Sequence, residues 1–327
     1  MNVSLFGAGR IGKIHAANLA RQPGMSLKYV VDISPDATAE LSRQYGAQTA
    51  VSETVLGDSS VKAVVIASST DTHADLIMRS AAAGKAIFCE KPVDLDLDRA
   101  RKCADSVSKA GVTCMIGFNR RFDPTFAALK KRLDSGEIGK PEMLIITSRD
   151  PGAPPVSYIK GSGGIFKDML IHDFDMFRFI LGEDAETVYA TGSCLTDPAI
   201  AEAGDIDSSV VSIRTRAGKL CQINTSRRAV YGYDQRFEVL GSKGMLQAGN
   251  VRPTEVSSST SKAVCTDVPE AFFLERYSAA YATEMAQFFR AVVESGPVPV
   301  TIEDGVKALE LADAADRSRA EQKIITL

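Results

Sequence analysis

The sequence predicts an α/β chain with two domains. The first is an N-terminal Rossmann domain with a doubly wound parallel sheet. The second is a C-terminal α+β domain with a large open, mainly antiparallel sheet. Three observations carry this. Short continuous apolar runs alternate with amphipathic helical stretches from residue 1 to about 119, as in a parallel sheet covered on both faces. The turn Gly7-Ala8-Gly9-Arg10-Ile11-Gly12 follows the first run and opens the first helix, and Asp32 ends the second run 20 residues beyond Gly12. After residue 119 strand-like stretches follow one another directly, separated by hairpin turns.

The first half reads as five strands, over 3–6, 27–31, 61–67, 86–89 and 112–118. Helices are expected from the glycine turn to Arg21 and over 35–45, 72–83 and 96–110. The boundary is placed near residues 119–122, giving domains 1–120 and 121–327, a division that suits a chain of 327 residues. In the second half strands are expected over 142–148, 187–194, 209–216, 220–226 and 236–240. Ala217-Gly218 and Gly241-Ser242-Lys243-Gly244 read as hairpin turns. One apolar helix over 165–181 interrupts the strands, 257–261 reads as a polar loop, and helices over 272–294 and 302–319 close the chain.

Composition narrows the function. Hydrophobic residues make up 45% and charged residues 24%, an ordinary globular balance. A net charge of -3 offers no basic surplus for nucleic acid or an anionic membrane. No apolar run approaches the roughly 18 residues of a membrane span, and residues 1–6 read as a strand rather than a secretion signal. The six cysteines form no Cys-x-x-Cys pair, so they read as small hydrophobes in a reducing cytoplasm. The three histidines, His15, His73 and His172, are too dispersed to suggest a metal cluster, and no metal is expected.

The glycine turn has the context a dinucleotide needs. Gly7 permits a tight turn, Gly9 lets a pyrophosphate approach the backbone, and Gly12 lets helix and strand pack closely. Arg10 and Ile11 open the helix whose free N–H groups face the phosphates. The Asp32 carboxylate accepts from the adenosine ribose and repels an extra phosphate, and Ile33-Ser34-Pro35 supplies no arginine, so NAD is expected over NADP. Two further loops leave C-terminal strand ends, where open α/β sheets bind ligands: Ser68-Ser69-Thr70 with His73, and Glu90-Lys91-Pro92. All of these residues are expected at the cofactor. Lys91 precedes a proline, which biases it to extended backbone. His15, in the first helix, is expected to cap or to face solvent.

A second constellation lies in the helix over 165–181. Asp168, His172 and Asp175 are spaced i, i+4, i+7 and so share one helical face. Met169, Leu170, Ile171, Phe174, Met176, Phe177, Ile180 and Leu181 cover most other directions, so the helix is expected to be buried. A carboxylate and an imidazole on such a helix are costly unless paired or used. They read either as an acid–base pair or as a core histidine bonded to Asp168.

Along its whole length the chain resembles the glucose–fructose oxidoreductase/inositol dehydrogenase superfamily. The matching segments are Gly7–Gly12, Thr72-His73-Ala74, Glu90-Lys91-Pro92, and Asp168 with His172. The resemblance implies that Lys91, Asp168 and His172 are the catalytic triad, and that the second domain's sheet is buried in homodimers or homotetramers. Gly117-Phe118-Asn119-Arg120-Arg121-Phe122-Asp123 and Tyr231-Gly232-Tyr233-Asp234-Gln235-Arg236 are most similar to the inositol dehydrogenase branch. That branch implies oxidation of a ring secondary alcohol of a cyclic polyol, myo-inositol to 2-keto-myo-inositol foremost. Another inositol isomer, a pyranose sugar, or a non-catalytic NAD-binding sugar sensor stays open. Lys91, Asn119, Arg121, Asp150, Tyr158, Asp168, His172 and Tyr233 are the residues expected at the polyol.

Overall fold

The computed structural model describes all residues, 1–327. The chain forms two compact units: Met1–Asn119 with Ala280–Leu309, and Arg120–Ala279 with Glu310–Leu327. The first crossing falls at Asn119/Arg120. Residues 280–309, read from sequence as part of the second domain, return to the first unit.

The first unit holds six strands: β1 (Asn2–Phe6), β2 (Ser26–Val31), β3 (Gln48–Thr49), β4 (Val61–Ile66), β5 (Ala86–Glu90) and β6 (Cys114–Gly117). Their spatial order is β3-β2-β1-β4-β5-β6, and every pair is parallel. The order reverses at β1, where doubly wound sheets bind dinucleotides. β4 and β5 are buried almost throughout because helices cover both faces, which is why their sequences are continuous apolar runs rather than alternating ones. Helix Pro35–Tyr45 coincides with its expected range, opened by a Ser34 cap and a proline at its start and closed by Gly46 in the left-handed region. The short strand β3 and the helix Ser52–Gly57 lay outside the sequence pattern.

The second unit is built on a seven-stranded sheet of β7 (Pro141–Arg149), β8 (Ala185–Ser193), β9 (Ser208–Thr215), β10 (Leu220–Ser226), β11 (Asp234–Gly241), β12 (Gly244–Ala248) and β15 (Ile325–Thr326). Its order is β12-β11-β7-β10-β9-β8-β15. All described neighbours are antiparallel except β7 and β10, which run parallel. That one pair sets the C-terminal ends of β7 and β10 side by side, with Ser226 in register with Arg149. Along β9 burial alternates: Val211 and Ile213 are buried while Val210 is exposed. Residues 257–261, expected as a loop, include a strand, β13 (Ser257–Ser259), paired with β14 (Val264–Thr266).

The helix expected over 165–181 is two helices, Gly164–Asp168 and Ile171–Leu181. At the joint the Leu170 N–H donates to the Ile165 carbonyl at 3.0 Å, a five-residue step in place of the usual four. The expected single stripe therefore breaks. Asp168 ends the first helix, His172 lies in the first turn of the second, and Asp175 is buried apart from them in an ion pair with Arg121.

Candidate active site

In the first unit the glycine turn leads straight from β1 into helix Arg10–Ala20. Gly7 takes φ +98°, and a side chain there would strike the Ala67 backbone at 2.4 Å. One on Gly12 would strike the Gly7 carbonyl at 2.0 Å, so the helix can approach the strand only with glycine at that position. A Cβ on Gly9 meets nothing within 4 Å, which leaves the helix N-terminus open to a phosphate. The Asp32 carboxylate is fixed by two backbone donors, Ala8 N–H at 2.6 Å and Ser34 N–H at 2.8 Å, so the acid at the tip of β2 is tied to the turn itself.

The loop after β4 is internally braced. Ser68 and Thr72 hydroxyls lie 2.6 Å apart, and Thr72 donates to the Ser69 carbonyl at 2.7 Å. His73 is buried; its Nδ1 donates to the Pro92 carbonyl at 2.7 Å, and its Nε2 faces the Ser68 carbonyl at 3.1 Å. Burial pushes this imidazole below its ordinary range. Its ring thus joins the Ser68 loop to the Lys91-Pro92 segment instead of reaching outward to a cofactor. Glu90 likewise turns inward: His15 Nε2 and Glu90 Oε1 are 2.6 Å apart. His15, expected at the surface or in a cap, is fully buried. Lys91 follows at the tip of β5, half-buried, and its bond to Pro92 is cis. Asn119, expected at the polyol, is buried at the end of this unit.

In the second unit Asp168 is held by two side chains. The Tyr158 hydroxyl donates to its Oδ1 at 2.9 Å, and both terminal nitrogens of Arg227 lie 3.4 Å from its Oδ2. Arg227, itself buried, also faces Asp205 at 3.7 Å. Asp205 in turn accepts from Ile165 N–H at 3.1 Å, bracing the start of the helix that carries Asp168. The sequence reading did not single out Arg227. It follows β10 directly, beside the end of β7, and only the parallel pairing brings it near Asp168 and Asp150. Burial pushes the Asp150 carboxyl up to about 6, against the pull of Arg120 and Arg227.

Two residues expected at the polyol have other occupations. Arg121 grips Asp175 with two guanidinium nitrogens and lies over the Phe179 ring at 5.1 Å. Tyr233 is buried, with its ring edge-on to Phe272 and Tyr277 and its hydroxyl 3.5 Å from Arg120, which pairs with Asp173. Both residues contribute to a buried scaffold under the helix Ile171–Leu181. Asp150, Tyr158 and Asp168 remain grouped around Arg227, and His172 follows on the next helix.

Comparison with known proteins matches the chain in two parts. A model of an oxidoreductase family's NAD-binding Rossmann fold matches residues 1–118, and a model of the same family's C-terminal alpha/beta domain matches residues 130–327. The chain is 50% identical over 323 residues to an inositol 2-dehydrogenase of Rhizobium meliloti, covering 99% of this chain and 98% of that one. Its fold superposes with a TM-score of 0.96 on a myo-inositol dehydrogenase of Corynebacterium glutamicum, at 43% identity, covering 100% of this chain and 98% of that one. A Lactobacillus casei myo-inositol dehydrogenase in complex with NAD(H) and myo-inositol superposes with a TM-score of 0.89 at 26% identity, covering 100% and 96% of the two chains. Residues 1–118 form an NAD-binding Rossmann domain.

Proposed function

The chain belongs to the glucose–fructose oxidoreductase/inositol dehydrogenase/rhizopine catabolism family of NAD-dependent oxidoreductases, and from that premise we propose that it oxidises myo-inositol to 2-keto-myo-inositol. The observation that carries this reading is the Asp168 carboxylate, clamped by Tyr158 and Arg227 at the end of the helix that precedes the one bearing His172. The near full-length identity to an inositol 2-dehydrogenase supports the choice of substrate.

In this reading His172 takes the proton of the ring hydroxyl as general base. Asp168 orients the imidazole and balances the charge it gains, and the Tyr158 and Arg227 contacts keep Asp168 in place. Lys91 donates to the oxygen as it becomes an alkoxide. Asp150 and Tyr158 hydrogen-bond neighbouring hydroxyls. NAD supplies the nicotinamide that accepts the hydride; the Gly7–Gly12 turn would hold its pyrophosphate and Asp32 its ribose. Initial rates of NAD reduction with myo-inositol, scyllo-inositol and glucose test the proposal. It holds if myo-inositol gives the highest kcat/KM and falls if no polyol reduces NAD.

We further propose that the enzyme is a cytoplasmic homodimer or homotetramer. Six free cysteines suit a reducing compartment. Leu220, Met143, Leu240 and Met245 are register neighbours across β10, β7, β11 and β12, and all four side chains are exposed on the open face of the second sheet. A contiguous apolar row of this kind favours cover by a second copy.

A further inference from the structure

A buried cluster in the first unit lies outside the catalytic scheme above. Glu284, on helix Ser278–Glu294, is wholly inaccessible, and neither of its carboxyl oxygens has a hydrogen-bond partner. His15 is equally inaccessible and Glu90 is 13% exposed. One ligand-type atom from each of the three lies within 4.8 Å of the others. The rings of Phe88 and Tyr281 stand edge-on to His15 at 5.0 and 5.9 Å, so the surroundings are largely apolar.

We propose that Glu284 is a neutral carboxylic acid in the folded protein and that Glu90 bound to His15 is a positioning pair for Lys91. Two carboxylates this close in an apolar medium do not both ionise. Glu90 has the His15 N–H at hydrogen-bond distance and some contact with solvent; Glu284 has neither. The proton therefore resides on Glu284, whose carboxyl is pushed well above the usual range by burial and by the charge of Glu90. The titratable groups around the pair are His15 from helix Arg10–Ala20, Lys91 next in the chain, His73 from helix His73–Ala82, and Tyr281 one turn earlier on the Glu284 helix. The same residue types could ligate a divalent cation. Ligands on one small cation, each about 2.0–2.2 Å from it, stand roughly 3 Å or more apart. The 2.6 Å between His15 and Glu90 is shorter than that spacing and is the distance of a direct hydrogen bond.

The arrangement bears on Lys91 because Glu90 is the last residue of β5. The segment is pinned on one side by Glu90 to His15 and on the other by the Pro92 carbonyl to His73. Lys91 is thus presented from a strand end held at two points. Its catalytic use rests on the dehydrogenase reading; the proton on Glu284 does not.

Two experiments test this. The first is the melting temperature of the wild type and Glu284→Gln from pH 5 to 8.5. Above the ordinary carboxyl range the folded wild type holds a proton that its unfolded chain has released, so its stability falls as pH rises. Glu284→Gln is uncharged throughout and should gain steadily on the wild type toward alkaline pH. Parallel curves, or a stoichiometric divalent cation in purified wild type, would overturn the neutral acid. The second compares kcat and the KM for NAD in His15→Gln, whose amide keeps an N–H where Nε2 stood, and His15→Leu. His15→Leu should lose about tenfold or more in kcat with little change in KM, and His15→Gln should recover most of it. Equal losses in the two variants would overturn the positioning role. If the wild type reduces NAD with no polyol, the function fails while the melting curves still decide the state of Glu284.

Discussion

Arg227 sets both terminal guanidinium nitrogens 3.4 Å from one oxygen of Asp168 while only 1% of its own side chain meets solvent. Removing it strands two acids, since Asp205 also faces it at 3.7 Å. Arg227→Ala should therefore lose about 3–5 kcal/mol of stability, the usual effect of breaking a buried pair. Arg227→Lys should keep more of the fold and less of the turnover, because an ammonium lacks the planar fork. Denaturant unfolding of both variants measures the first effect and steady-state rates the second. A stability change under about 1 kcal/mol for Arg227→Ala would mean the contact is incidental.

His172→Ala should lose about 10²–10⁴-fold in turnover with NAD affinity unchanged, since the glycine turn and Asp32 belong to the other unit. Asp168→Asn should lose less, because an amide can still orient the ring but cannot balance its charge. Turnover near the wild-type value in His172→Ala would move the base elsewhere, with Lys91 the next candidate.

Asp32→Ser should admit NADP. The change also removes the acceptor of the Ala8 and Ser34 N–H groups, so NAD binding should weaken at the same time. Titration of both cofactors by fluorescence measures this. Strong NADP binding by the unaltered enzyme would contradict the repulsion assigned to Asp32.

Asp150 makes stability depend on pH. Its carboxyl moves from 3.8 to about 6 on folding, mainly through burial. Between those values the folded chain holds a proton that the unfolded chain has released, so stability falls as pH rises and the full penalty is present above about 6. Asp150→Asn lacks that penalty and should gain on the wild type by up to about 3 kcal/mol across this window, then level off. Unfolding at pH 4, 5, 6 and 7.5 shows whether the gap opens.

Met143→Glu with Leu240→Glu places charges in the middle of the exposed apolar row. Sedimentation should show a smaller species than the wild type at micromolar concentration. A wild type already monomeric there would remove the proposed assembly.

The parallel sheet, the glycine turn and Asp32 were legible because each leaves a local mark: continuous apolar runs, a fixed glycine spacing, an acid at a strand end. The residues that depend on distant pairing were not. Arg227 reaches Asp168 because β10 runs parallel to β7 inside an otherwise antiparallel sheet, and no local pattern announces that pairing. The break at Met169 and Leu170 was hidden because the apolar residues continue across it, so periodicity reads two helices as one. Arg121 and Tyr233 were read as polyol ligands because a charged or phenolic group in a recognised segment carries no sign of its partner; Asp175 and the Tyr277 ring supply those partners inside the fold. His15 was assigned to the surface for the same reason, since Glu90 lies 75 positions away in sequence.

The return of residues 280–309 to the first unit has a consequence for biosynthesis. The first unit is discontinuous along the chain, and its last helix is translated roughly 190 residues after its last strand. At about 5–20 residues per second that is a delay on the order of 10–40 seconds. In that interval Phe88 waits for the ring of Phe288, and the Ile116 N–H waits for the Val300 carbonyl. The nascent N-terminal segment is thus an incomplete unit whose apolar surface stays exposed until the later residues cover it.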